Sequence, residues 1–149
     1  MNWKSWTAAI SSLVLILGPT HKATAAEPRK FSDHSFNGSY ALGIIGTVVG
    51  VGPVAGTGLL ISDGKGHFTG TETISYGLGP CTLTLTGTYA VSPDGTGTGT
   101  ATVTTAGGGD LCTSGNGSVV EFSFVLSSNK IKLSETSPGF AILADGERQ

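Results

Sequence analysis

Apolar and polar residues alternate with a period of two along most of the chain after residue 35. Phe36, Gly38, Tyr40, Leu42 and Ile44 share one face of an extended segment, because successive side chains of a strand point to opposite sides. A second strand is predicted over 54–62. Asp63-Gly64-Lys65-Gly66 follows, and Asp-Gly is a tight-hairpin signal because it tolerates positive φ. A third strand is expected over 67–76. The fourth, over 81–91, sets Leu83, Leu85, Gly87, Tyr89 and Val91 against Thr82, Thr84, Thr86 and Thr88. Ser92-Pro93-Asp94-Gly95 marks another hairpin turn, and the fifth strand over 97–105 places Thr98, Thr100, Thr102 and Thr104 on one face. After a loop over 106–117, the sixth strand over 118–126 turns Val120, Phe122, Phe124 and Leu126 inward. Two shorter strands, over 130–135 and 140–144, complete the pattern.

Nothing in this stretch has the 3.6-residue period of a long helix. Eight short strands joined by tight turns leave two exposed edges unless the sheet closes on itself. The predicted fold is therefore all-β, an eight-stranded antiparallel up-and-down barrel, with a two-sheet sandwich as the alternative. Composition agrees with this. The 149 residues include 24 Gly and 20 Thr, and they concentrate in the turns and on the polar strand faces. A weak internal echo relates Phe36–Ala41 (FNGSYA) to Leu85–Ala90 (LTGTYA), each followed by an Asp-Gly-x-Gly turn. The unequal spacing argues against a solenoid repeat.

The first 25 residues read as an export signal rather than as fold. Lys4 supplies a positive start, AAISSLVLIL over 8–17 is the apolar run, and Ala23-Thr24-Ala25 offers a small-x-small cleavage site. The run is shorter than the ~20 residues of a membrane-spanning helix. Residues 26–34 are expected to be a flexible lead-in, and 35–149 the barrel domain. Without Lys4 and Lys22, 6 basic residues face 10 acidic ones, a formal charge of −4 for an exported protein, secreted or periplasmic. That balance offers nothing for a nucleic-acid backbone. Cys81 and Cys112 are expected to pair in an oxidising compartment, closing a loop of about 30 residues. No Cys-x-x-Cys or His pair accompanies them, so a zinc site is not expected.

The order FNGSYAL, GLLISDGKGHFTG, LTGTYAVSPDGTGTGT and EFSFVLSS, over about residues 35–128, resembles a group of uncharacterised secreted bacterial proteins. Their pattern is F-x-G-x-Y, D-G-x-G, L-T-G-x-Y and D-G-x-G. The resemblance implies a calycin-like barrel, similar in shape to lipocalins and allene oxide cyclases. The shared motifs are strand and turn chemistry, so no catalytic residue is implied.

Candidate chemistry is sparse. Gly50-Val51-Gly52-Pro53-Val54-Ala55 fits a relaxed dinucleotide pattern, but Pro53 and the strand after it deny the helix that would hold a pyrophosphate. Gly64-Lys65 lacks the spacing and hydroxyl of a phosphate loop. Gly107-Gly108-Gly109-Asp110 is a single copy and cannot build a calcium cage. His34 and His67 sit at strand entrances, where solvation is the ordinary outcome. No metal site and no cofactor are expected.

Glu72 is the candidate catalytic group. It shares parity with Phe68, Gly70, Ile74 and Tyr76, which puts a carboxylate on the inward face unless a bulge at Gly70 turns it outward. Inside a barrel its pKa would be raised, as a general base or polar anchor requires. With Glu72, the candidate ligand-binding residues are Tyr40, Phe68, Tyr89, Phe122 and Phe124, all on inward faces. Tyr40 and Tyr89 also read as core with backbone-bonded hydroxyls. The glycine-rich apolar stretch 43–58 fits either a lip at the barrel mouth or an ordinary hairpin.

Three functional readings follow. The first is non-enzymatic binding of a small, largely apolar molecule in the lumen. The second is a cyclase- or isomerase-like enzyme using Glu72, with Tyr40 or Tyr89 orienting substrate. The third is a structural or adhesive module presenting the Thr rows. Oligomeric state and ligand identity are not legible at this level.

Overall fold

A computed structural model describes residues 30–76, 79–108, 112 and 116–149. The export signal expected over 1–25 lies outside these residues. The alternation produces eight strands: β1 (Asn37–Val48), β2 (Gly52–Asp63), β3 (His67–Ser75), β4 (Pro80–Val91), β5 (Thr96–Gly108), β6 (Val119–Ser127), β7 (Lys130–Glu135) and β8 (Phe140–Arg148). Each pairs antiparallel with the next, and β8 returns to β1, closing an up-and-down barrel. Closure satisfies every strand edge within the chain. The single-barrel reading holds over the two-sheet alternative.

The two Asp-Gly turns are held by the same device, an aspartate accepting backbone N–H groups. Gly64 and Gly66 take φ of 69° and 96°, where a Cβ is strained. Asp63 Oδ1 accepts from the backbone N–H of Lys65 at 2.7 Å and of His67 at 3.0 Å. Asp94 Oδ1 likewise accepts from the Thr96 N–H at 2.9 Å. These donations, with the Thr96 hydroxyl donating to Asp94 Oδ1 at 2.7 Å as the larger influence there, hold both exposed carboxyls below the usual carboxylate range.

Several strands run beyond their sequence-predicted ends, and β5 takes the first residues of the expected 106–117 loop by continuing to Gly108. β1 and β2 pair as far as Val48↔Gly52, so the apolar 43–58 stretch is mostly a hairpin with a short turn at 49–51. β8 continues to Arg148. Its outward Asp145 and Glu147 stand opposite Lys132 and Lys130 on β7, and its inward Gly146 lacks a side chain to advertise the core face. A Cβ on Gly146 would meet Leu42 at 2.7 Å.

The barrel is plugged at the end bearing the 63–66 and 92–95 turns. A 3₁₀ turn, η1 (Asp33–Ser35), crosses that end, and Phe36 behind it is 0% exposed. Asp33 Oδ1 accepts from the Val91 N–H at 2.7 Å, and the Phe31 N–H donates to Pro93 O at 3.0 Å. These bonds pin the lead-in across the barrel end. The Phe36 ring packs against Tyr40, Tyr89 and Phe124 at centroid distances of 5.1, 4.8 and 5.3 Å, a range in which aromatic contacts add to simple burial. Glycines on β5 make room for this packing. A Cβ on Gly97 or Gly99 would run into the rings of Phe124 and Phe122.

Candidate functional site in the barrel lumen

The half of the barrel away from the plug is hollow. A cavity of about 360 Å³ lies there, floored by Phe68 and Phe122 and walled by Leu42, Leu60, Leu85 and Ala101, among others. The floor rings contact each other at 5.5 Å. Inward glycines help create the space: Gly56 and Gly58 occupy consecutive core-facing positions of β2, where larger residues would fill the lumen. The volume sits toward the lower end of the ~300–1,000 Å³ typical of small-molecule sites.

Glu72 faces this cavity. The pairing of β3 runs unbroken through Leu60↔Gly70 and Gly58↔Glu72 on one side, and Gly70↔Leu85 and Glu72↔Leu83 on the other. There is thus no bulge at Gly70 to turn the carboxylate out. The register shift at this side of the barrel falls between β4 and β5, at Thr82/Leu83. Gly58 leaves the space that Glu72 uses, since a Cβ there would lie 3.0 Å from Glu72 Cγ. Burial in apolar surroundings pushes the Glu72 carboxyl up to about 7.

A second carboxylate shares the lumen. Glu135, at the end of β7, lines the same cavity, and its Oε1 is fully buried with no hydrogen-bond partner. Its pKa also rises to about 7, first through burial and then through the charge of Glu72. Tyr76 completes the polar set near the mouth. Its phenol is raised by burial and further by Glu72 and Glu135. Glu135 was legible by the argument that found Glu72: it shares parity with Ile131 and Leu133 on the seventh strand, the buried or half-buried face of β7. A strand of only six residues carries a weaker alternation, which hides the signal.

The other sequence-predicted residues divide between two places. Phe68 and Phe122 border the cavity with Glu72. Tyr40, Tyr89 and Phe124 belong to the aromatic plug around Phe36, so the closed end holds them apart from the carboxylates. The Tyr89 hydroxyl donates to Phe36 O at 3.0 Å and shares a hydrogen bond with Ser62 Oγ at 2.8 Å. Ser62 Oγ also contacts Phe36 O, so the two hydroxyl protons serve these three O···O contacts in turn. This network anchors the plug. Cys81 and Cys112 form a disulfide with a Cα–Cα distance of 5.5 Å, tying β4 to the β5–β6 connection, and Cys112 borders the cavity. His34 and His67 are exposed. Among the described residues no group of three or more His, Cys, Asp or Glu is placed to hold a metal ion, and no helix is long and apolar enough to cross a membrane.

The outer surface carries the threonines. Thr84↔Thr104, Thr86↔Thr102 and Thr88↔Thr100 pair across β4 and β5. β3 extends the rows, with Thr69, Thr71 and Thr73 opposite Thr86, Thr84 and Thr82. Some hydroxyl capacity is spent within the sheet: Thr84 donates to Thr104 O at 3.3 Å, and the Thr88 and Thr100 hydroxyls lie 3.4 Å apart.

No protein-family model, curated protein or solved structure matches this chain.

Proposed function

We propose that this protein is an exported barrel that binds a small, largely apolar molecule in its lumen, in the manner its calycin-like sequence pattern suggests. The observation that carries this reading is the cavity of about 360 Å³, open at one end and lined mainly by Leu, Ile, Val and Phe. A side-chain-filled barrel would be better packed and more stable, since voids forfeit contacts on every wall. The leader-like residues 1–25 and the Cys81–Cys112 disulfide support an oxidising, extracytoplasmic destination.

Incubating the purified protein with mixed lipids and small apolar molecules, followed by native mass spectrometry, tests the reading. A retained molecule is expected. Ala101→Phe, which fills the lumen from its wall, should abolish retention while the folded β spectrum persists. Retention of nothing by the wild-type protein would sink the proposal.

A second reading rests on a separate observation. Two carboxyls at about 7 in one apolar cavity, with Tyr76 beside them, suit proton transfer near neutral pH. One ionised carboxylate would take a proton from a bound substrate, and a protonated one would return a proton at another carbon, as an isomerase or cyclase requires. Turnover of any substrate found should vanish in Glu72→Gln. Unchanged turnover would exclude Glu72 from that role.

A further inference from the structure

The lumen holds more negative charge than an apolar ligand alone explains. Glu72 and Glu135 face one cavity whose remaining walls are mostly hydrocarbon, and among the described residues no Lys, Arg or His lines it. The described cations lie elsewhere, with Lys30 and His34 exposed on the lead-in at the plugged end. Lys65 and His67 belong to the turn at the plugged end, where His67 Nδ1 lies 3.5 Å from Asp63. Lys130 and Lys132 pair with Glu147 and Asp145 on the outer surface at 3.9 and 3.3 Å. Arg148 stands beside Gly38, also at the plugged end. Buried carboxylates without a counter-charge are costly, and proteins retain them where something pairs with them. Here the described residues provide no such partner, and Glu135 Oε1 is buried with an unused lone pair.

We propose that the ligand of this lumen is an apolar amine, its ammonium group held by the Glu72 and Glu135 carboxylates and its hydrocarbon part packed on Phe68, Leu85 and Phe122. The inference rests on the lumenal-binding reading and names its ligand class. An anionic ligand, such as a fatty acid, would be repelled by both carboxylates. A neutral ligand would leave them unpaired. A divalent metal ion would need more oxygen ligands than the two carboxylates, the Tyr76 phenol and Ser118 among the described lining residues present. An ammonium group offers up to three donors to the carboxyl oxygens and neutralises one ionised carboxylate while the other stays protonated, with Tyr76 at the cavity mouth as a further polar contact.

Among the described residues, the titratable groups facing the cavity are Glu72, Glu135 and Tyr76. At neutral pH the two carboxyls are partly protonated. Binding an already protonated amine therefore expels a carboxyl proton to solvent, and the ion pair that forms replaces the O–H bond that is lost. Affinity is full above the carboxyl pKa of the empty lumen and declines as pH falls below about 7, by about tenfold per pH unit for each proton displaced.

Calorimetric titration of the purified full chain with n-octylamine and with 1-octanol, at pH 8 and pH 5, tests the assignment. At pH 8 octylamine is expected to bind at least tenfold more tightly than octanol. At pH 5 that advantage should vanish, while octanol binding stays level. The Glu72→Gln/Glu135→Gln variant should bind both molecules alike at pH 8. Should that variant fail to fold, the wild-type pH profile alone decides. Octanol binding as tightly as octylamine at pH 8 would overturn the amine assignment and leave lumenal binding standing. Preference for octylamine that survives both substitutions or the drop to pH 5 would also overturn it. Binding of neither probe would remove the lumenal reading and the amine with it.

Discussion

Replacing Glu72 by Gln should make the protein more stable at pH 8 and leave its stability near pH 4 almost unchanged. The group ionises at 4.5 when solvated and at about 7 in the folded lumen. Between those values the unfolded chain has released its proton and the folded protein has kept it. The folded state then binds more protons, so stability falls as pH rises through this window, and the loss is complete above the folded value. A rise from 4.5 to about 7 corresponds to about 3 kcal/mol at the alkaline limit. Glutamine has nearly the same shape and no charge to desolvate, so it escapes this loss. It also removes the charge that helps raise Glu135, which adds to the gain. Urea denaturation followed by circular dichroism at pH 4, 6 and 8 measures the effect. Wild-type stability should decline by about 1.4 kcal/mol per pH unit for each carboxyl between the two pKa values. Glu72→Gln should keep only the shallower decline due to Glu135, and the double Gln variant should be flat over the window. Wild-type stability that is level or rises from pH 5 to pH 7 would refute the buried-carboxylate account. Below about pH 4 the opposite trend should appear, as Asp63 and Asp94, whose folded values are depressed, take up protons and lose their turn hydrogen bonds.

Three further outcomes check the fold that shapes the lumen. Tyr89→Phe removes the hydroxyl bonded to Phe36 O and Ser62; it should cost about 1–2 kcal/mol by denaturant titration, because the buried partners lose a hydrogen bond. Gly97→Ala drives a methyl into the Phe124 ring and should cost about 1–3 kcal/mol, whereas Gly43→Ala, with nothing within 4 Å of the added carbon, should change thermal stability little. Replacing Cys81 and Cys112 together by Ala opens a loop spanning a sequence separation of 31 and should lower stability by about 3 kcal/mol, with no further loss when reductant is added.

Much of the architecture is legible in local pattern. The Asp63–Gly66 and Asp94–Gly97 sequences state where hairpins turn, because glycine at positive φ and an aspartate accepting backbone N–H groups are local requirements. The period-two alternation states which side of each strand is buried, because a one-residue slip would invert every side chain. Both requirements act within a few residues, so they survive in the sequence alone. The ends of β8 were harder to read, since Gly146 faces the core without an apolar side chain to mark it.

Eight strands and their turns are thus written in local pattern, whereas the side that Glu72 takes stays open to a bulge at Gly70 until the unbroken β3 pairing settles it. The tertiary structure decided what the inward face does at each height of the barrel. Residues of one parity, Tyr40 and Tyr89 as much as Phe68 and Glu72, are equivalent in a strand pattern, and only closure sorts them into a packed plug around Phe36 and a hollow half beyond Phe68 and Phe122. Closure also brings Glu72 on β3 and Glu135 on β7, 63 positions apart in the chain, to one cavity. That proximity depends on how side-chain volumes sum around the ring of strands. No local preference encodes such a sum, and so the paired carboxylates, the feature on which the proposed ligand depends, emerge only when the sheet closes.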